Sequence, residues 1–229
     1  LISTIFKVFP GIIVNLINPK SISYIDINIK NNNKIYDFVI SGINTFIFTN
    51  FVFMILAIIF FKIMIVYFFE EYNDAWLVSL CLIVGEYFLS LISFHGNYLI
   101  LKGKINLIIL VNIIILAIHI SLSFILAKFV GDISFMGIPI MVSLILYSLF
   151  VQYVFQYLAG KGSILKSKTL SIIIKQSMLC IVAALFGLML NGFFNFNINF
   201  IVITSVCIIL SLSIKISSKG IIKLNELVN

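Results

Sequence analysis

The sequence predicts an all-α fold, a polytopic helical bundle in a membrane, on three observations. The chain of 229 residues is 62% hydrophobic and 10% charged, with a mean hydropathy of +1.22, unlike a water-soluble domain of this size. Apolar runs cover roughly 39–69, 75–100, 105–127, 133–159, 170–190 and 198–214. An α-helix needs ~20 residues to cross a hydrocarbon core of ~30 Å, so each run is a candidate span. The lysines then fall in alternate gaps between the runs.

That alternation predicts orientation. The gap before the first run holds Lys20, Lys30 and Lys34. The second gap is acidic, with Glu70, Glu71 and Asp74. The third carries Lys102 and Lys104, and the fourth only Lys128 beside Asp132. The fifth holds Lys161, Lys166 and Lys168, the sixth (Asn191 to Asn199) is uncharged, and the tail carries Lys215, Lys219 and Lys223. Basic loops stay cytoplasmic, so gaps one, three and five and the C-terminal tail are expected inside.

The net charge of +7 is therefore a membrane-edge signal and not a nucleic-acid footprint. Its lysines are placed to meet anionic lipid headgroups. Every basic residue is Lys, and the wealth of Ile, Asn and Lys reads as AT-biased, bacterial coding. The expected location is the bacterial inner membrane. Cys81, Cys180 and Cys207 lie within apolar runs with no CxxC or Cys/His spacing, so they read as small buried residues. No disulfide, metal or other cofactor is implied.

Four segments follow along the chain. Residues 1–18 are apolar and read as the end of a spanning helix, which makes the chain the expected back half of a longer protein. Residues 19–38 form the one long polar stretch, with a turn at Asn31 to Asn33 and room for a short interfacial helix. Residues 39–160 make a four-helix core. Residues 161–229 add two spans, poor in polar groups, that read as a lipid-facing addition, and a cytoplasmic tail.

Polar residues inside the runs are the functional candidates. Glu86, Ser90, Ser93 and Asn97 recur at helical spacing on one face, with His95 to one side. A carboxylate in a span costs ~2.5–3.5 kcal/mol on insertion scales and usually faces a bundle interior or a wet cavity. It can bind a proton or cation, or hydrogen-bond a neighbouring helix. Asn112 and His119 share a face of the third run, with Ser123 beyond them. Interhelical hydrogen bonding is the plainer role for these. Gln152 and Gln156 sit one turn apart in the fourth run, as do Tyr153 and Tyr157. The glutamines suit hydroxyl-rich ligands; the tyrosines suit an aromatic belt. Lys62 is expected to snorkel toward Glu70 and Glu71, or else to face a phosphate.

No GxSxG, HExxH, GxGxxG or Walker A sequence is present. Transport is therefore the expected task, not catalysis.

The order of these features resembles a known family. A helix ending Phe9-Pro10 leads into the polar stretch, and a long span closes on VYFFEEYNDA (66–75). The next ends in NYLILKGKINL (97–107), and the one after in FVGDISFMGIPIMVS (129–143). The acidic-Tyr turn Glu71-Tyr72-Asn73-Asp74-Ala75, the turn Lys102-Gly103-Lys104 and the pair Gly131 and Gly137 are similar to turns of the polysaccharide flippases. These are the O-antigen and capsule repeat-unit exporters of the multidrug/oligosaccharidyl-lipid/polysaccharide superfamily. The resemblance covers roughly residues 1–160, and the wider spacing of Gly131 and Gly137 departs from it.

The resemblance implies one lobe of a two-lobed flippase, opening alternately to each side. Its substrate would be an undecaprenyl-diphosphate-linked oligosaccharide, with other polysaccharide-assembly proteins as possible partners. Glu86, Ser90, Asn97, Asn112, His119, Gln152 and Gln156 are the expected substrate or ion pathway, although no family motif maps onto Glu86. The competing expectations are a permease subunit of an ABC-type exporter, with residues 19–38 as its coupling helix, and a membrane-embedded polysaccharide enzyme.

Overall fold

The computed structural model describes residues 22–28, 30–90, 92–159, 167–192, 203–204 and 206–216. The expected helix end at 1–18, the basic gap at 160–166 and the tail beyond 216 lie outside these residues.

A short helix, α1 (22–27), precedes the first long one. It docks through Ile25, which is fully buried, and through Tyr24, whose ring stacks on Phe38 at 4.4 Å. Asn31 then caps α2 (Asn32–Phe68): its side chain accepts from the Lys34 backbone N–H at 3.3 Å. The helix thus starts seven residues before the apolar run does, because the cap and not hydropathy sets its origin. At 1.5 Å per residue its 37 residues reach about 55 Å, more than a hydrocarbon core needs.

A tight 3₁₀ turn (Glu70–Tyr72) reverses the chain into α3 (Ala75–Ser90), followed by α4 (Ile92–Leu101). The sequence predicts one continuous helix over 75–100. The axes of Ala75–Ser90 and His95–Leu101 instead differ by 46°. A hydroxyl bonded back onto its own helix is a known cause of bending, and the Ser90 Oγ–H donates to the Tyr87 carbonyl at 2.7 Å.

Glycines end the next elements where the backbone must turn left-handed. Gly103 (φ 68°) follows α4, with its N–H bonded to the Ile100 carbonyl and the Lys104 N–H to Leu99. This is a Schellman closure, and a side chain at Gly103 would strain it. Gly131 (φ 67°) turns the chain after α5 (Ile105–Phe129), with its N–H bonded to the Leu126 carbonyl at 3.3 Å. A short 3₁₀ segment leads into α6 (Gly137–Ala159), then come α7 (Ser167–Leu190) and α8 (Val206–Ile216).

Four of these helices are long and apolar enough to cross a membrane, five if the bent α3–α4 pair counts as one span. All regular structure among the described residues is helical. The fold is therefore an all-α membrane bundle.

Its core is the packing of α3 on α6 and of α7 on α2. Small residues let α6 and α7 approach α3 closely. Gly85 and Gly137 leave room where α3 and α6 cross, and Gly187 does so where α7 meets Leu80. Small residues at crossings are how membrane helices gain dispersion contact in a solvent as apolar as themselves. α5 rests mainly on α6 and buries Val111 alone. Ile113, Leu116, Ile120 and Phe124 on α5 are exposed, a surface that suits acyl chains.

The position of α7 corrects the sequence reading of the last two spans as a lipid-facing addition. α7 is part of the bundle. Its Gln176 is 0% exposed, its Ala183 is fully buried, and the indole Nε1–H of Trp76 donates to its Gly187 carbonyl at 3.2 Å. Two Lys–Asn bonds also tie it to α2. Lys62 donates to Asn191 at 2.8 Å and Lys175 to Asn44 at 3.5 Å. Scarcity of polar groups misled because the few it has, Lys175 and Gln176 among them, bond to neighbouring helices, and Gly187 lets it close on Leu80.

Candidate functional site

Thr45, Thr49, Ser79, Ser121 and Ser143 each donate to a carbonyl one turn back in their own helix. Their hydrogen-bonding demand is met locally. Ser90 differs: besides its bond to Tyr87, it accepts from Asn50 Nδ2 on α2 at 2.7 Å.

That contact defines the first polar centre, between α2 and α3. Asn50 is 3% exposed, and its carbonyl Oδ1 is buried with no hydrogen-bond partner. An unsatisfied buried acceptor costs about 1–3 kcal/mol. The Tyr87 hydroxyl, buried beside it, donates to the Ile47 carbonyl at 3.3 Å. Glu86, half-buried, stands one turn before Ser90. Asn97, also half-buried, lies beyond the bend on α4. The side chain of Ser93 is outside the described set.

The second centre lies between α6 and α7. Gln152 donates to Ser148 Oγ and to Gln176 Oε1, each at 3.2 Å. Ser148, Gln152, Gln156 and Gln176 are all buried. Gln152 Oε1, Gln156 Nε2 and Gln176 Nε2 are buried without partners. α6 and α7 approach each other only sparsely, so these long amide side chains bridge them.

The third pair of candidates sits on α5. Asn112 is exposed, and His119, half-buried, carries a buried Nδ1 without a partner.

The seven residues singled out in the sequence are thus spread over α3, α4, α5 and α6. His95 lies in a fourth place. It is buried, not at a membrane edge, and its ring meets Phe155 edge-on at 4.9 Å. Phe155 also contacts Tyr98 and Tyr36. Lys62 does not reach for Glu70 or Glu71. Its ammonium is held by Asn191 and lies 5.2 Å from the centre of the Trp76 ring. Asn50 was missed by sequence reasoning, and its one signal is an Asn set in the apolar stretch Phe46 to Met54.

Among the described residues no three His, Cys, Asp or Glu side chains group as metal ligands. Fold and polar centres together define the class of this chain, an integral helical membrane protein with polar groups held between its spans. No family model matches the chain, and no curated protein or solved structure does.

Proposed function

We propose that the protein moves a lipid-linked oligosaccharide, an undecaprenyl-diphosphate repeat unit, across the bacterial cytoplasmic membrane. The observation that carries the reading is the polar centre between α2 and α3, where Glu86 and Ser90 share a helix face and Asn50 closes on it. Groups that are costly in hydrocarbon are retained where they meet a polar cargo or an ion. The substrate class comes from the resemblance of the turns to those of the polysaccharide flippases. The left-handed glycines at 103 and 131 are compatible with those turns.

The physical need is plain. A sugar diphosphate cannot cross hydrocarbon unaided, because its charges and hydroxyls would lose their hydrogen bonds. A polar path between helices supplies replacements while the lipid tail stays in the bilayer. Glu86 is the acid that lies inside an apolar run of residues 39–159, where a carboxylate is costly unless it meets a polar group or an ion.

Expression in a host lacking its own flippase tests this. The protein should restore surface polysaccharide. Glu86→Gln, which keeps the shape but removes the negative charge, should lower export about tenfold at unchanged protein level. Failure of the wild type across several lipid-linked donors would remove the substrate assignment. Full restoration by Glu86→Gln would remove Glu86 from the mechanism.

The reading also carries an orientation, with the acidic turn outside and the basic gaps and tail inside. Single cysteines at Asn73 and Asn195 should react with an impermeant maleimide in intact cells, and one at Ser163 should not. Outside labelling at Ser163 would invert the topology.

A further inference from the structure

Lys62 carries a positive charge in a spanning helix, and among the described residues its partners are neutral. It is half-buried and stands less than two turns before the end of α2. Its ammonium donates to Asn191 Oδ1 at 2.8 Å and lies 5.2 Å from the centre of the Trp76 ring. No carboxylate among the described residues pairs with it. A charge in a span is costly without a counter-charge, and lysines near helix ends reach for the headgroup level. Exposed Tyr67 and Tyr72 mark that level at this end of the bundle.

The surroundings have the chemistry of a phosphate site. An ammonium has three N–H donors, and one goes to Asn191. That bond orients the Asn191 amide, with Oδ1 toward the ammonium. Its Nδ2 has no partner among the described residues and offers a second set of donors. Nδ2 is bonded to the same carbon as Oδ1, so it lies within about 5 Å of the ammonium. The oxygens of one phosphate group, themselves set apart, accept from two donors at that spacing. Trp76 fixes a third side. It is buried, and its Nε1–H is held by the Gly187 carbonyl at 3.2 Å. It belongs to the first turn of α3, an end where the helix dipole favours negative charge.

We infer that Lys62 and Asn191, beside the Trp76 ring, bind the phosphate of an anionic membrane lipid where α2, α3 and α7 meet. The inference is independent of the transport reading. A phosphate group is the shared chemistry, and a lipid is favoured over a free ion because Lys62 lies on the bilayer side of the exposed tyrosines. The competing account is that Lys62 only neutralises the C-terminal end of α7, which needs no anion.

Trp76, the sole tryptophan, is the reporter. The purified protein is placed in equal mixtures of phosphatidylglycerol and phosphatidylcholine, with brominated acyl chains on one lipid or the other to quench a nearby indole. Quenching should show a preference for phosphatidylglycerol of about fivefold, one lysine's share of attraction to anionic lipid. Lys62→Met should abolish the preference. So should Asn191→Asp, which sets a carboxylate against the ammonium. Gel filtration reports folding of each variant. Equal quenching of the wild type by the two lipids overturns the site. So does a preference kept by folded Lys62→Met. Should that variant not fold, Asn191→Asp decides: a kept preference overturns the site, and a lost one supports it. A preference that inorganic phosphate removes at constant ionic strength would assign the site to a free ion and overturn the lipid.

Discussion

Gly137→Leu is expected to prevent accumulation of folded protein, and Gly137→Ala to lower its melting temperature. A Cβ at 137 would lie 2.8 Å from the Cα of Val78, 2.8 Å from the Cβ of Cys81 and 3.0 Å from the Val78 carbonyl oxygen. Two of these are backbone atoms, which cannot swing aside as a side-chain tip can. α6 would have to lift off α3 along the main packing contact of the bundle. Overpacking of this kind costs about 1–3 kcal/mol for a methyl and more for Leu. At this chain length, ~2–4 °C is lost per kcal/mol. Gly96→Ala is the control: its Cβ would meet only Ile92, at 3.9 Å, and Ala favours a helix. Melting curves in detergent should separate the two substitutions. Equal melting temperatures would mean that α3 and α6 do not cross closely at Gly137.

The second large effect is expected at the amides between α6 and α7. Gln176→Leu removes the acceptor of Gln152 Nε2 and leaves that amide buried with less bonding. The expected cost is about 1–3 kcal/mol, and Gln152→Leu should cost a similar amount by orphaning Gln176. Replacing both removes donor and acceptor together, so the double variant should be much less destabilised than the sum of the two. A double-mutant cycle on denaturation measures the coupling. Strict additivity would mean that the two glutamines act independently.

The spans were legible in the sequence because a bilayer imposes one rule, a long apolar run with its backbone bonded internally. Runs 39–69, 105–127, 133–159 and 170–190 correspond to α2, α5, α6 and α7. Which face of each helix turns inward was much less legible. In water an apolar stripe marks the buried face, but lipid is as apolar as the core, so Ile109 and Leu110 on exposed α5 read like Ile43 and Ile47 in the core. α7 was placed outside for that reason. Lys62 was aimed at the nearest acids, whereas its partner Asn191 lies 129 residues away in the chain. The bend between Ala75–Ser90 and His95–Leu101 falls inside one unbroken apolar run, so hydropathy does not register it.

The candidate site shows the same division. Helical spacing places Glu86 and Ser90 on one face. It does not supply Asn50, which comes from the neighbouring span, or Gln176, which meets Gln152 from α7. Side chains that pair across helices leave no periodic trace. They become visible once the bundle is assembled.

The central claim is transport of a lipid-linked oligosaccharide, and reconstitution tests it most directly. Proteoliposomes would carry a radiolabelled undecaprenyl-diphosphate oligosaccharide, with a glycosidase added outside to read the exposed fraction. The account predicts that wild-type protein exposes the inner-leaflet pool and that Glu86→Gln does so about tenfold more slowly. An inner pool that stays protected, in vesicles shown to contain folded protein, would contradict it.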